Sequence, residues 1–181
     1  MKNGSRSGAL LNYNTVTEKF VFSKNGELYD MMNTELNDTV YLDKRKFVPV
    51  GKIFHEVLVE APISLYIQHR SSLMSPGAPA GYGGTSQVSN TKSYSSIEME
   101  TGRYNLNLPS DFTVRPDPVY WIRQGRDYES FVNEKQFLKI FPGREEELKT
   151  YIKQNKIKFD RISSVIKLID YCNDLIQKIN L

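Results

Sequence analysis

The chain has 181 residues, 39% hydrophobic, 25% charged and 12% aromatic, with a formal charge of +3, one Cys and one Trp. That length suits one domain or one domain with a small appendage, and such ordinary fractions exclude a disordered or collagen-like chain. A lone Cys excludes internal disulfides and thiolate-rich metal sites, no apolar run approaches the roughly 20 residues of a bilayer-spanning helix, and so small a charge does not by itself imply nucleic acid.

The first segment reads as strands. Phe20 and Phe22 alternate with their neighbours, and Asn25-Gly26 follows at once. Asn-Gly tolerates the positive φ angles of a tight hairpin, so 17–23 and 27–33 are predicted to pair. Val40 and Leu42 give a short strand ending at the charged turn Asp43-Lys44-Arg45-Lys46. Phe47-Val48-Pro49 and the run 53–59 continue the pattern, with Pro49 at a strand end or edge because it cannot donate to a ladder. Ile63, Leu65, Ile67 and His69 then alternate with Ser64, Tyr66, Gln68 and Arg70, a period of two.

Periodicity disappears from Ser71 to Lys92, where 75–86 holds two Pro and four Gly. A structureless loop of that length is expected, functional or disordered. Beyond it, 93–100 and 103–108 flank Thr101-Gly102 as a second hairpin, and 120–123 with 128–132 form a last strand pair around Gly125.

Near residue 133 the chain changes character. Residues 1–132 carry 14 Lys+Arg and 14 Asp+Glu, whereas 133–181 carry 10 against 7, so the tail holds the whole +3. Neither Gly nor Pro occurs after Gly143, which permits helices. Asn133 and Gln136 resemble a helix-start capping pair, Pro142-Gly143 ends that helix, and Glu145, Glu146 and Glu147 suit the first turn of the next. Ile162, Val165, Ile166, Ile169, Cys172, Ile176 and Ile179 then fall on one helical face, opposite Lys167, Asp170, Asp174 and Lys178. The expected fold is α+β: an antiparallel β-rich part over 1–132, a sandwich or open barrel with the long 71–92 loop, followed by three C-terminal helices over 133–181 packed on it.

Chemical motifs are sparse. His55-Glu56 invites a zinc-protease reading, but Val59 stands where the second His is needed, and a strand sends neighbours to opposite faces. One of the two is therefore expected exposed and the other hydrogen-bonded. Cys172 lies on the apolar stripe, where a thiol is a small hydrophobe rather than a nucleophile. Gly81-Tyr82-Gly83-Gly84-Thr85-Ser86 lacks the Gly-Lys-Ser/Thr ending of a phosphate loop, and no helix pattern follows it. The aromatics say more: Tyr82 and Tyr94 flank the loop's end, while Trp121, Arg123 and Arg126 crowd the last strand pair. Aromatic and Arg side chains dominate binding hot spots, so these five form the candidate contact surface. Alternation puts Tyr120 and Ile122 on one face and Trp121 with Arg123 on the other; the competing arrangement buries Trp121 beneath the helices.

Leu11-Asn12-Tyr13-Asn14, the run Phe47 to Leu58, the glycine-rich Tyr-Gly loop, and the late Phe-Pro-Gly-Arg before Lys-rich amphipathic helices together resemble a group of uncharacterised exported proteins found in Bacteroidetes. The resemblance spans nearly the whole chain and carries no assigned chemistry. In that group a signal peptide and an opening strand precede the Leu-Asn-Tyr-Asn segment. Met1-Lys2-Asn3-Gly4 has no apolar h-region, so the chain is expected to be truncated at its start. The resemblance implies export to periplasm or cell surface, with a cytoplasmic location as the alternative.

The expected function is a non-enzymatic binding or structural module of the bacterial envelope that engages a protein or a glycan, with no catalytic residues, metal or cofactor. A small enzyme with a site beside the 71–92 loop is the first rival, and two His, one Cys and no clustered carboxylates leave it few catalytic parts. A nucleic-acid-binding domain using the basic tail is the second, and the tail's interleaved acids argue against it.

Overall fold

The structure, a computed structural model, describes residues 4, 7–32, 34–74, 78–80, 84–86 and 112–179. Antiparallel strands come first and three helices last, and among the described residues no sheet closes into a barrel, so the fold is α+β with open sheets. The chain divides into two compact units, one of Met1–Phe54 with His69–Pro118 and one of His55–Gln68 with Val119–Leu181. The helical tail thus shares its unit with strands from the middle of the chain.

In the first unit, β1 (Leu11–Asn14), β2 (Lys19–Lys24) and β3 (Glu27–Asp30) form an antiparallel meander in that order. Asn25 and Gly26 both take positive φ, 54° and 80°, as the hairpin requires. Strands β4 (Val40–Leu42) and β5 (Arg45–Val50) make a second hairpin through Asp43. Pro49 lies beyond the last β4 partner, where its missing N–H breaks no bond to that strand. Phe20 meets both Phe47 and Phe54 edge-to-face, each at 5.1 Å, and Tyr13 stacks on Phe47, giving this unit its own aromatic core.

The structureless 71–92 loop needs correction. Ser71–Met74 is β8, paired antiparallel with β11 (Thr113–Pro116), and Leu73 is buried. Ala78–Ala80 (β9) pairs with Gly84–Ser86 (β10). Neither pairing shows in a local pattern, because ladder bonds are made by backbone and β8's partner lies some forty residues on. The hairpin expected over 93–108 lies outside the described residues.

The second unit contains most of β6 (Ile53–Val59), then β7 (Ile63–Gln68), β12 (Val119–Gln124) and β13 (Asp127–Phe131), hydrogen-bonded in the order β13-β12-β7-β6. The helices are α1 (Glu134–Ile140), α2 (Glu145–Gln154) and α3 (Ile162–Ile179). All six residues of β7 are buried, so its alternation separates two covered faces rather than core from water. One face, with Ile63, Leu65, Ile67, Tyr120 and Ile122, packs with Phe137, Leu148, Val165, Leu168, Ile169 and Cys172 of the helices. Within α3 the stripe shifts by a residue: Ile162 is 38% exposed in the first turn, while Leu168 is fully buried.

Helix α1 begins with a reciprocal cap. Asn133 Oδ1 accepts from Gln136 N–H at 3.0 Å, and Gln136 Oε1 accepts from Val132 N–H at 2.8 Å. Replacing Asn133 with alanine is expected to lower stability by about 1 kcal/mol in a urea melt. A change within error would show that solvent serves the helix end equally well.

Candidate functional site

The face of β6, β7, β12 and β13 opposite the helices is built from polar and aromatic side chains. The register sets Trp121 beside Tyr66 and Arg123 beside Tyr128, while Val57, also opposite Tyr66, puts His55 on this same face. Four rings overlap like shingles: His55 and Trp121 are 5.3 Å apart, Trp121 and Tyr128 5.7 Å, Tyr128 and Tyr66 5.4 Å, all tilted by 32–40°. The Arg123 guanidinium lies 5.8 Å from the Tyr66 ring centre, within cation–π range. Trp121 Nε1 donates to Gln68 Oε1 at 3.1 Å, which fixes the indole's orientation.

Exposure is graded across this plate. Arg123 is exposed, Trp121 and Tyr128 are half-buried, and Tyr66 and His55 lie beneath. His55 is only 1% exposed, and neither ring nitrogen has a hydrogen-bond partner among the described residues. Desolvation drives its pKa down to about 4, so the ring is neutral at pH 7. Burial, then the Tyr66 hydroxyl, push the Tyr128 phenol above its ordinary range, with Arg123 pulling the other way. Polar groups held this way are uncommon in a folded interior, where nearly all find partners.

Of the sequence-predicted site residues, Trp121 and Arg123 come together on this plate, and Trp121 does not join the core beneath the helices. Arg126 lies exposed in the Gly125-Arg126 turn of the same hairpin. Tyr82 and Tyr94 lie outside the described residues. The expectation that one of His55 and Glu56 is exposed fails: both are buried, because strands of this sheet are covered on either face. Sequence reading missed Tyr66, Gln68 and Tyr128, although Tyr128 follows from folding the strand pair about Gly125, which sets it opposite Arg123.

Cys172 is buried on the helix side of the sheet, and desolvation holds its thiol up at about 12. Among the described residues, no group of three His, Cys, Asp or Glu side chains could hold a metal ion. No helix among them is long and apolar enough to cross a membrane. No protein-family model, curated protein or solved structure matches the chain.

Proposed function

We propose that the chain is a non-enzymatic binding module of the bacterial envelope whose partner, a protein or a glycan, lies across Trp121, Tyr128 and Arg123. The observation that carries this reading is the shingled ring row, half-buried at Trp121 and Tyr128 and flanked by an exposed guanidinium. Rings held in place by neighbours lose little entropy on binding, and an indole face suits both a sugar ring and an apolar side chain. The unpartnered His55 beneath them supports it, since departures from local satisfaction cluster at functional sites. Envelope location and export rest on the resemblance of Leu11–Asn14 and Phe47–Leu58 to the exported group. The nucleic-acid reading is disfavoured because acids are interleaved with the tail's cations, with Glu146 2.7 Å from Lys149 and Glu147 3.4 Å from Arg144.

Trp121 is the only Trp, so its fluorescence reports on the plate. Titration with cello-, malto- and chito-oligosaccharides is expected to change its emission saturably, and Arg123→Ala or Tyr128→Ala should abolish the change while far-UV circular dichroism stays constant. For a protein partner, wild type immobilised against envelope extract should retain a protein that Arg123→Ala does not. Silence with all glycans, together with identical capture by wild type and variant, would overturn the reading.

A further inference from the structure

A second concavity, independent of the aromatic plate, opens on the helix side of the second unit. It encloses about 230 Å³ and is lined by Phe141, Leu148, Cys172 and Leu175 among other apolar side chains, with Gln124 and Arg144 as its polar members. By strand alternation Gln124 shares the face of Tyr120 and Ile122, so the end of β12 places an amide against the helix-covered core. Arg144 occupies the N-cap position of α2, and its guanidinium donates to Glu147 in the first turn at 3.4 Å.

We propose that this pocket binds a small monocarboxylate with an apolar tail, such as an aryl or medium-chain aliphatic acid. An apolar cavity of roughly 150 Å³ stays dry and admits benzene, so one half again as large takes a ring with a short side arm. Among the described residues Arg144 is the only charged side chain lining the pocket, and its fork of donors matches a carboxylate. Its present partner Glu147 is 3.4 Å away, and both side chains are more than a third exposed, so the pair is weak and readily exchanged. Gln124 is the other polar side chain of the lining, and the apolar walls reject a ligand charged at both ends.

The probes are phenylacetate and its neutral isostere phenylacetamide. Saturation-transfer NMR is expected to show saturable phenylacetate binding, with phenylacetamide weaker. Arg144→Gln should weaken phenylacetate about tenfold, the loss of one charge-assisted hydrogen bond, and leave phenylacetamide unchanged. Because Leu148 and Leu175 line the pocket, added phenylacetate should also shift their methyl resonances saturably. Leu175→Phe should block both probes by filling the space. Should that variant not fold, the Leu148 and Leu175 methyl shifts on wild type decide occupancy. Absence of saturable binding by either probe up to ~10 mM, or equal binding of acid and amide that Arg144→Gln leaves untouched, would overturn the assignment.

Discussion

Replacing Asn173 with alanine is expected to destabilise the second unit by about 3 kcal/mol. This side chain sits inside α3, only 6% exposed, and its amide clamps the first residue of β7 on both sides. Oδ1 accepts from Ile63 N–H at 2.8 Å, and Nδ2 donates to the Ile63 carbonyl at 3.0 Å and the Ile169 carbonyl at 3.1 Å. It replaces a strand that is missing there, because the β6 ladder ends at the pair Val59 and Leu65, before Ile63 is reached. Alanine would leave an N–H and a C=O of a fully buried residue without partners, and each such group costs about 1–3 kcal/mol. Urea melts followed by Trp121 emission read the change in this unit directly. A loss below about 0.5 kcal/mol, the size of an ordinary surface substitution, would mean that water reaches Ile63 once the amide is gone. Asn173→Asp keeps the acceptor but turns a carboxylate toward two carbonyls, so it should be at least as damaging at pH 7 and recover as pH falls.

Asn173 also shows where sequence reading stops. The apolar stripe of α3 was legible because burial repeats every three to four residues, and Cys172 fell on it as the period required. Asn173 stands beside Cys172 and four residues after Ile169, in a position the stripe would bury. A count of apolar residues passes over it, since its role exists only once β7 supplies the backbone groups. The Asn25-Gly26 hairpin and the Asn133 cap were equally legible, because each is decided by a few adjacent residues. The β8–β11 ladder was not, because Ser71-Ser72-Leu73-Met74 has no alternation of its own to declare. The change in composition near residue 133 marks where helices begin. The second unit also takes in β7 and β12, because amphipathic helices need a sheet face and those strands supply it. For the plate, alternation separated Trp121 and Arg123 from Tyr120 and Ile122. The register that adds His55 and Tyr66 depends on pairings a single chain segment does not specify.

Acidification should weaken the protein through His55. Its pKa falls from an ordinary 6.5 to about 4 on folding, so the unfolded chain takes up this proton first. Above pH 6.5 both states are neutral at this site and nothing is lost. Between pH 6.5 and pH 4 only the unfolded state is protonated, and stability falls by about 1.4 kcal/mol per pH unit, reaching a total of about 3 kcal/mol. Asp30 acts in the opposite sense: burial raises its carboxyl pKa, with Lys19 only partly offsetting this, so its proton favours the folded state as pH falls. The informative quantity is therefore the difference between wild type and His55→Phe, which keeps a flat ring between Trp121 and Tyr128 and removes the titrating nitrogens. At pH 7 this variant should be as stable as wild type or more so, because two unpartnered buried nitrogens are gone. At pH 4 its advantage should have grown by about 3 kcal/mol. Urea midpoints measured from pH 7 to pH 4 test this, and parallel curves for the two proteins would mean that the His55 ring is hydrated or paired in solution. A widening gap would place an acid-sensitive group directly beneath the plate; because the folded ring stays neutral down to about pH 4, partner affinity at Trp121 and Tyr128 should hold while stability falls and drop only below about pH 4.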